Sequence, residues 1–404
     1  MSIKQNSQFT FKYNKKLGRH GWLRLTPAYS VKMVEQILDN LDYSPACVFE
    51  PFSGTGTTEL VCANKGITSF AYDINPFLVW LASVKTKKYT DDQISNFNNA
   101  RYEIAEKVVD AKEYTYPNIY NIERWWHHNQ LSFLARLKTC IWSIEDDETR
   151  DLLKIALCKT LIALSNAAFN HVSTSFKDSE DDNSFTDETG IECFQSACNV
   201  LLMSLQEQPV ADAKIYLNNS MSIRNNDRQT FDTLITSPPY PNRISYIREL
   251  RPYMYWLGYL TTSEDASDLD WNTIGGTWGS ATSKLATWVK RTDLIPNYLF
   301  DIAKNISEAD NKSASLMANY VLKYFDDIAE HIQSAYDSIL PGGTVHYIVG
   351  NSNFYGNTVP SEKLYVDILQ SVGFTDAKYE IVRKRNCNKA LYEFWISAKK
   401  PRTK

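Results

Sequence analysis

The chain has 404 residues, 43% of them hydrophobic, and a formal net charge of −4. This length and apolar content suffice for one large α/β core plus an inserted subdomain. The acidic balance argues against a protein that coats nucleic acid without specificity. No stretch of sequence has the length and apolar character of a membrane span, and the N-terminus lacks a signal-peptide core. We therefore expect a cytoplasmic protein with no membrane partner.

Metal-binding patterns are also missing from the sequence. Its seven cysteines include no CxxC pair, which predicts buried thiols and no structural zinc. His127-His128 is the only cluster among the six histidines, and adjacent residues of one helix cannot point at one metal ion. We therefore expect no metal site.

The first informative segment combines a strand, a glycine loop, a helix, a second strand and an acidic residue. Residues 46–50 predict a short buried strand, and residues 51–58 (Pro-Phe-Ser-Gly-Thr-Gly-Thr-Thr) follow as a loop. Residues 59–65 predict a helix with threonine caps. A second apolar strand, 67–72, ends in Asp73. This order is typical of the nucleotide-binding half of a doubly wound fold.

Two glycines and one carboxylate give this segment its chemistry. Gly54 and Gly56 let the backbone approach a ligand, and the Asp73 carboxylate can accept both hydroxyls of a ribose. The segment is not the dinucleotide fingerprint, because a third glycine is missing at the expected offset. It is not a phosphate loop either, because no Gly-Lys-Ser/Thr follows.

The next predicted strand, 213–217, comes far later than a βαβ unit of about 30 residues would place it. The intervening sequence predicts a mainly helical insert. Within it, residues 151–170 are apolar almost all round and predict a buried helix. The Trp125-Trp126 pair is expected in the core of this insert and not as a base-stacking platform.

A short proline motif follows the next strand. Residues 231–236 predict a buried strand, and Ser237-Pro-Pro-Tyr240 comes directly after it. Two consecutive prolines can neither continue the strand nor start a helix directly after it, because each fixes φ and lacks an N–H donor. The chain is therefore extended at the carboxyl end of a strand, where open α/β sheets bind ligands. A hydroxyl, two carbonyls and an aromatic ring there suit a planar ring that carries an amine.

The C-terminal part predicts an irregular region and then a regular one. Residues 253–315 mix aromatic residues, glycines and basic residues, which suits contacts to a nucleic acid, although a small aromatic core is the ordinary alternative. Residues 317–340 predict an amphipathic helix. Strands are predicted at 344–349, 378–382 and 391–398, the last two as an antiparallel pair.

Basic residues gather in three segments whose predicted positions flank one crevice: the N-terminal 34 residues, the stretch after the proline motif, and the last hairpin. Solvated surface charge is the alternative for each patch, but the shared location favours contacts to phosphates. The candidate nucleic-acid-binding residues are Arg243, Arg248, Arg251, Arg383, Lys384 and Arg385.

These motifs resemble those of the amino DNA methyltransferases, which methylate the exocyclic amine of cytosine or adenine. Glu50-Pro-Phe-Ser-Gly-Thr-Gly56 is similar to the family's cofactor loop, and Ser237-Pro-Pro-Tyr240 is similar to its catalytic tetrapeptide. The serine-led form is typical of the N4-cytosine branch, whereas adenine enzymes more often begin with Asp or Asn. The resemblance implies a doubly wound class I methyltransferase sheet that ends in an antiparallel hairpin, with a helical insert and a separate recognition region.

The resemblance also implies S-adenosylmethionine as the cofactor and double-stranded DNA as the partner. It assigns the cofactor to Glu50, Phe52, Gly54, Gly56, Thr57, Asp73, Ile74 and Asn219. It assigns catalysis to Ser237, Pro238, Pro239 and Tyr240. The hydroxyl of Ser237 and the carbonyl of Pro238 would accept the amine hydrogens of a flipped base, and Tyr240 would stack on its ring. No cysteine adjoins the tetrapeptide, which argues against ring-carbon methylation.

The order of the motifs predicts five segments. They are 1–86 for the cofactor-binding half, 87–210 for the helical insert, 211–252 for the catalytic strand and tetrapeptide, 253–315 for target recognition, and 316–404 for the rest of the catalytic domain. In many serine-led relatives the tetrapeptide precedes the cofactor loop, so analogy does not place the recognition region. The first choice is 253–315 and the second is the insert. Asn219 stands where the family often has Asp, and its carbonyl can still accept the cofactor's adenine amine.

Three alternatives to an N4-cytosine DNA methyltransferase stay open. Adenine N6 is one, because the first residue of the tetrapeptide is only a statistical guide. An RNA methyltransferase acting on an exocyclic amine is another, since similar motifs occur there, although no RNA-binding module is evident. A non-catalytic DNA-binding subunit is the third, and the intact glycines, Asp73 and tetrapeptide speak against it. A restriction–modification role with a companion endonuclease is an expectation from the resemblance alone.

Overall fold

The computed structural model describes residues 6–23, 25, 28–168, 175–176, 184–223, 230–242, 244–276, 281–385 and 390–402. Besides short 3-10 turns at Ser7–Phe9 and Gly18–Gly21, its helices are α1 Phe11–Asn14, α2 Val31–Asp39, α3 Thr57–Asn64, α4 Pro76–Thr86, α5 Asp91–Asp110, α6 Ile122–Trp125, α7 His128–Trp142, α8 Asp147–Ala163, α9 Asp187–Ser204, α10 Tyr246–Leu257, α11 Ser263–Asn272, α12 Ala281–Ala286, α13 Tyr298–Ser307, α14 Ala314–Ser338 and α15 Ser361–Val372. Its strands are β1 Cys47–Glu50, β2 Thr68–Asp73, β3 Ala167–Ala168, β4 Ser175–Phe176, β5 Ala213–Leu217, β6 Phe231–Thr236, β7 Ile339–Gly350, β8 Ser352–Phe354, β9 Asn357–Val359, β10 Thr375–Lys384 and β11 Tyr392–Lys399.

Seven of these strands form one mixed sheet in the order β10-β11-β7-β6-β1-β2-β5. The strand β1 is parallel to both β2 and β6, and parallel pairing continues to β5 on one side and to β7 on the other. The last two strands are antiparallel, β11 to β7 and β10 to β11. The chain thus winds outward from β1 in both directions. This topology confirms the predicted doubly wound class I methyltransferase sheet with a closing antiparallel hairpin.

Helices cover both faces of this sheet. Neighbouring residues of a strand point to opposite faces, and the buried residues divide accordingly. Phe49 and Leu234 pack in one apolar cluster with α13, α14 and α15, whereas Val48 and Ile235 pack in another with α2 and α3. A largely parallel sheet requires cover on both faces. The carboxyl ends of the strands therefore remain as the edge where a ligand can enter.

The predicted strands agree closely with the observed ones, and β5 and β6 match at both ends. The largest difference is β7, which begins at Ile339 directly after α14 and includes Pro341. A register shift between β6 and β7 accommodates the extra residues. Gly343 is required at this shift, because a Cβ atom there would lie 2.6 Å from the carbonyl oxygen of Asp232.

The helices between β2 and β5 bury a third large apolar cluster, which is the core of the insert. Trp125 and Trp126 both lie in it, as expected for core residues. The buried helix α8 ends at Ala163 and does not reach 170. It ends there because the Trp125 carbonyl accepts the Ser165 hydroxyl and the Asn166 N–H, which turns the chain away. None of the described helices combines the length with the apolar character that a membrane crossing requires.

The prediction of an irregular region at 253–315 is wrong for most of its described residues. The helix α10 continues to Leu257, and α11, α12 and α13 follow. The aromatic side chains of Tyr253 and Trp256 are buried in the core of the insert, so the ordinary alternative of an aromatic core holds for them. Thr262 and Asp265 form a capping box at the start of α11. This spacing of a threonine and a carboxylate predicts the start of a helix from the sequence alone.

Candidate active site

A cavity of about 360 Å³ lies where β1, β2 and β6 end. Its walls include the loop after β1, Asp73 at the end of β2, and the tetrapeptide after β6. The N-terminal segment from Phe9 to Lys12 adds a further wall. The volume is within the range of small-molecule sites, about 300–1,000 Å³. Two motifs that are far apart in the sequence therefore share one cavity.

Asp73 ties the glycine loop to the end of β2. One carboxylate oxygen accepts the backbone N–H of Gly54 at 2.8 Å, and the other accepts that of Asn75 at 2.8 Å. Gly54 has φ +54°, the left-handed region that favours glycine. Burial raises the pKa of Asp73 to about 6, and the backbone donors oppose this shift. Each oxygen keeps a second lone pair with which to accept a ligand hydroxyl.

Gly56 is not among the described residues that line the cavity, and its assignment to the cofactor stays a prediction. It also has a positive φ, +71°, but a Cβ atom at this position would lie 2.9 Å from the Cβ of Ala82. The close neighbour is thus helix α4 and not the cavity. Gly56 is required for the packing of the loop against α4.

Glu50 lies behind the loop and is not among the described residues that line the cavity. It is fully buried, and it accepts the Phe52 N–H at 3.0 Å and the Thr58 hydroxyl at 2.8 Å. The hydroxyls of Tyr29 and Thr236 also donate to it. Burial raises the pKa of Glu50 to about 7. This carboxylate therefore connects the loop, the first turn of α3 and the end of β6.

The tetrapeptide is held by tyrosines. The hydroxyl of Tyr324 donates to the Pro239 carbonyl at 2.7 Å, and the hydroxyl of Tyr246 accepts the N–H of Tyr240 at 3.1 Å. Within the described residues, the carbonyl of Pro238 accepts no such bond, and Pro238 lines the cavity. Of the two proline carbonyls, that of Pro238 therefore has both lone pairs available to a ligand donor, whereas that of Pro239 already accepts the Tyr324 hydroxyl.

Ser237 is oriented as an acceptor. Its hydroxyl donates to the carbonyl oxygen of Ile348 on β7 at 3.1 Å. A hydroxyl has one hydrogen and two lone pairs, so once that hydrogen is donated the oxygen can only accept. Ser237 Oγ and the Pro238 carbonyl thus offer two acceptors to a group with two hydrogens, such as an exocyclic amine.

The ring of Tyr240 is in contact with the last hairpin. Its hydroxyl donates to Glu393 Oε1 at 2.9 Å, and the Arg385 guanidinium lies 5.3 Å from its ring centroid. Arg383 donates to both oxygens of Glu393, at 2.8 and 3.0 Å. All four residues line the cavity.

The remaining predicted residues divide between the cavity and its surroundings. Phe52, Thr57, Ile74 and Asn219 line the cavity. The side-chain carbonyl of Asn219 accepts the backbone N–H of Met221 at 2.9 Å, which fixes the turn after β5. Its assignment to the cofactor stays a prediction.

The basic residues on helix α10 and in the last hairpin are partly buried, and their assignment to DNA phosphates stays a prediction. Arg248 and Lys384 are half-buried, as is Arg251, whose guanidinium lies 5.5 Å from the Trp125 ring centroid. Arg243 lies outside the described residues. None of the described His, Cys, Asp and Glu side chains form a group of three able to hold a metal ion.

Sequence reasoning missed Tyr29, Tyr246, Tyr324 and Glu393. Each supports the site through a contact between residues that are distant in sequence or through a backbone group. The 24 tyrosines of the chain carry no local mark that separates these from core residues. Glu393 had the best signal, because a carboxylate inside an apolar strand requires a partner.

Comparisons with known proteins find related methyltransferases. A family model described as D12 class N6 adenine-specific DNA methyltransferase matches residues 31–187. The Type II methyltransferase M.BsoBI of Geobacillus stearothermophilus is 20% identical, across 94% of this chain and 83% of that protein. The Type II methyltransferase M.MvaI of Kocuria varians is also 20% identical, across 80% of this chain and 74% of its own. The chain is a DNA methyltransferase that is similar to the amino DNA methyltransferases.

Among solved structures, a methyltransferase dependent on S-adenosylmethionine from Methanosarcina mazei covers 91% of this methyltransferase and 98% of its own chain. Its sequence identity is 9% and its TM-score is 0.32. A likeness so weak adds nothing to what the sheet topology already establishes.

The cofactor of this DNA methyltransferase is S-adenosylmethionine, which supplies a methyl group on a positively charged sulfur. The cavity fits it. Asp73 has lone pairs left for the ribose hydroxyls, and Phe52 and Ile74 offer apolar contact. A Cβ atom at Gly54 would meet nothing closer than 3.7 Å, so glycine is favoured there by its positive φ and not by a steric clash.

Cofactor affinity should rise with pH, because Asp73 accepts ribose hydroxyls best as a carboxylate. With its pKa raised to about 6, the free protein must lose a proton to bind below pH 6. Affinity should therefore fall by up to about tenfold per pH unit below 6 and level off above 7. Calorimetry from pH 5 to 8 would measure this.

The control for this pH dependence is Glu50, whose pKa is raised to about 7 behind the same loop. Asp73→Asn should weaken binding and flatten the profile, whereas Glu50→Gln should leave the step near pH 6 in place. A step that persists in Asp73→Asn and disappears in Glu50→Gln would assign the titration to Glu50.

Proposed function

We propose that this methyltransferase transfers the methyl group to N4 of cytosine at specific sites in double-stranded DNA. The observation that carries the proposal is the pair of acceptors, Ser237 Oγ and the Pro238 carbonyl, in the same cavity as the Asp73 loop. An amine inside a duplex cannot reach a cofactor in such a cavity. The target base is therefore flipped out, at a cost of a few kcal/mol for unstacking and unpairing.

The chain's own residues then orient the amine. Ser237 Oγ and the Pro238 carbonyl accept its two hydrogens, which turns the nitrogen lone pair out of conjugation with the ring and toward the methyl group. Stacking on Tyr240 stabilises the flipped base by about 1–3 kcal/mol. The rate comes from positioning and electrostatics.

Serine at the first position of the tetrapeptide supports cytosine as the target. Adenine N6 is the second candidate, because the matching family model is described as N6 adenine-specific. That match covers residues 31–187, so it includes the cofactor loop and ends before the tetrapeptide. The residues that would hold the base are outside it.

A role in a restriction–modification system is part of the proposal. The relatives from Geobacillus stearothermophilus and Kocuria varians are both named Type II methyltransferases. A modification enzyme of this type would protect DNA from a companion endonuclease that recognises the same site.

We also propose the five-segment organisation with bounds at 86, 210, 252 and 315, and recognition of the DNA sequence by residues 253–315. Exchanging this segment with that of a relative should change the methylated sequence, while the Asp73 loop and the tetrapeptide stay in place. Of the segment's described residues only Asn272, Thr273 and Ile274 line the cavity, and they are kept in the exchange. Sequencing for modified bases in plasmid DNA would detect the change. Unchanged specificity would point to the helical insert, 87–210, and an exchange of that insert would then be the next variant.

The proposed target base is tested by methyl transfer from labelled cofactor to unmethylated duplex DNA and, in parallel, to bulk RNA. Nucleoside digestion and mass spectrometry identify the product. N4-methylcytosine in DNA is expected. N6-methyladenine would leave the proposed role of Ser237 and Pro238 in place and make adenine the target base. Label in RNA alone would overturn the proposal.

A further inference from the structure

The hydroxyl of Tyr240 is fixed by a buried ion pair. It donates to Glu393 Oε1 at 2.9 Å, and Arg383 holds both oxygens of that carboxylate at 2.8 and 3.0 Å. The side chains of Arg383 and Glu393 are only 16% and 8% exposed. Burial and the nearby Glu393 raise the pKa of Tyr240 well above its ordinary value, so its hydroxyl stays protonated and remains a donor.

One face of the Tyr240 ring is covered as well. The Arg385 guanidinium lies over it, 5.3 Å from the centroid, and also donates to the carbonyl of Asn351. Gly350 makes room for this arrangement, because a Cβ atom there would lie 2.6 Å from Arg385 Cζ and 2.9 Å from Tyr240 Cδ2. A cation over a tyrosine ring is attracted by the ring's negative face. The ring is thus held at its hydroxyl end and over one face.

We propose that Arg383, Glu393 and Arg385 are positioning residues that hold the Tyr240 ring ready to stack on the flipped base. This deepens the proposed function and rests on its stacking step. It also replaces the interpretation, drawn from the sequence, that Arg383 and Arg385 contact DNA phosphates.

The geometry favours positioning over phosphate contact. Arg383 donates through Nε and one terminal nitrogen to Glu393. Its remaining N–H donors could meet a phosphate only beside the Glu393 carboxylate, whose negative charge would repel that phosphate, and turning away from Glu393 would leave a buried charge without its partner. A ring that is fixed in advance instead loses little rotational freedom when the base arrives, and such preorganisation increases affinity.

A double-mutant cycle tests the coupling of Glu393 to Tyr240. Single-turnover methyl transfer to plasmid DNA from a methylation-deficient host is measured for Tyr240→Phe, Glu393→Gln and the double variant. Each single change should slow transfer by about ten- to a hundredfold, since a hydrogen bond to a charged group is lost. The double variant should be no slower than the slower single variant, because both changes remove the same contact. Additive losses would overturn the proposal.

The salt dependence of DNA binding tests Arg383 itself. Arg383→Gln should slow methyl transfer while the slope of log K against log salt stays that of the wild type. A phosphate contact would instead lower the slope by about 0.9 when removed, and that result would overturn the positioning role. Lys378→Gln is the matched control, because Lys378 is an exposed cation of the same hairpin, 69% accessible, and its loss should not slow transfer.

Two further readouts keep the outcomes distinct. Cofactor affinity and melting temperature should be close to wild type in Glu393→Gln, and a collapse of both would mean a structural role and overturn the proposal. The methylated nucleoside that the wild-type enzyme forms identifies the target base independently of these variants. N6-methyladenine would correct the proposed function while the cycle stays valid, because Tyr240 can stack on either base.

Discussion

Asp73→Ala is expected to abolish measurable binding of S-adenosylmethionine. The change removes an acceptor for the ribose hydroxyls and also the anchor of the Gly54 N–H, which is bonded to Asp73 at 2.8 Å. Two hydrogen bonds to a charged group are worth about 3–6 kcal/mol together. Affinity should therefore fall by at least about a hundredfold, as measured by calorimetry.

The matched control for this variant is Asp212→Ala. Asp212 lies just before β5 and is 79% exposed, with Lys88 as its ion-pair partner at 3.4 Å. Its removal should leave cofactor affinity unchanged. If Asp73→Ala binds the cofactor as tightly as the wild type does, Asp73 is not part of the cofactor site.

Ser237→Ala is expected to slow methyl transfer by about a hundredfold while cofactor affinity changes by less than about twofold. Loss of one positioned polar group in an active site typically has an effect of this size. The hydroxyl donates to the Ile348 carbonyl at 3.1 Å, so the variant loses the acceptor for the amine and leaves that carbonyl without this donor. Single-turnover kinetics and calorimetry measure the two quantities independently.

Ser371→Ala is a suitable control, because Ser371 is an exposed serine of α15 whose hydroxyl bonds only within its own helix, to the Asp367 carbonyl. Ser371→Ala should change neither the rate of methyl transfer nor the cofactor affinity. Equal losses of transfer rate and cofactor affinity in Ser237→Ala would count against a role in holding the amine, since the change would then act on the cavity as a whole.

The sheet was predictable because its signals are local. The strands β5 and β6 are short segments with clear ends, and the two prolines at 238 and 239 mark where β6 ends. The motifs around Gly54 and Asp73 were likewise readable, because backbone conformation and charge at strand ends restrict the residue type. The topology then brought the two motifs into one cavity.

The supports of the site were not predictable, since they join residues that are far apart in the chain. Thr236 and Glu50 are 186 positions apart, and Tyr240 and Glu393 are 153 apart. One sequence contains no sign of which donor will meet which acceptor across such distances. The same limit explains Gly56, whose neighbour Ala82 becomes visible only when α4 packs beside the loop.

Glu50 links the cofactor loop to the end of the strand that carries the tetrapeptide. It bonds the Phe52 N–H of the cofactor loop and the Thr236 hydroxyl just before the tetrapeptide, so a shift of either segment changes the bonds of the other. If bound cofactor increases the affinity for the flipped base, the bound base must increase the affinity for the cofactor by the same factor. DNA that carries the target should hold the cofactor longer than DNA that lacks it.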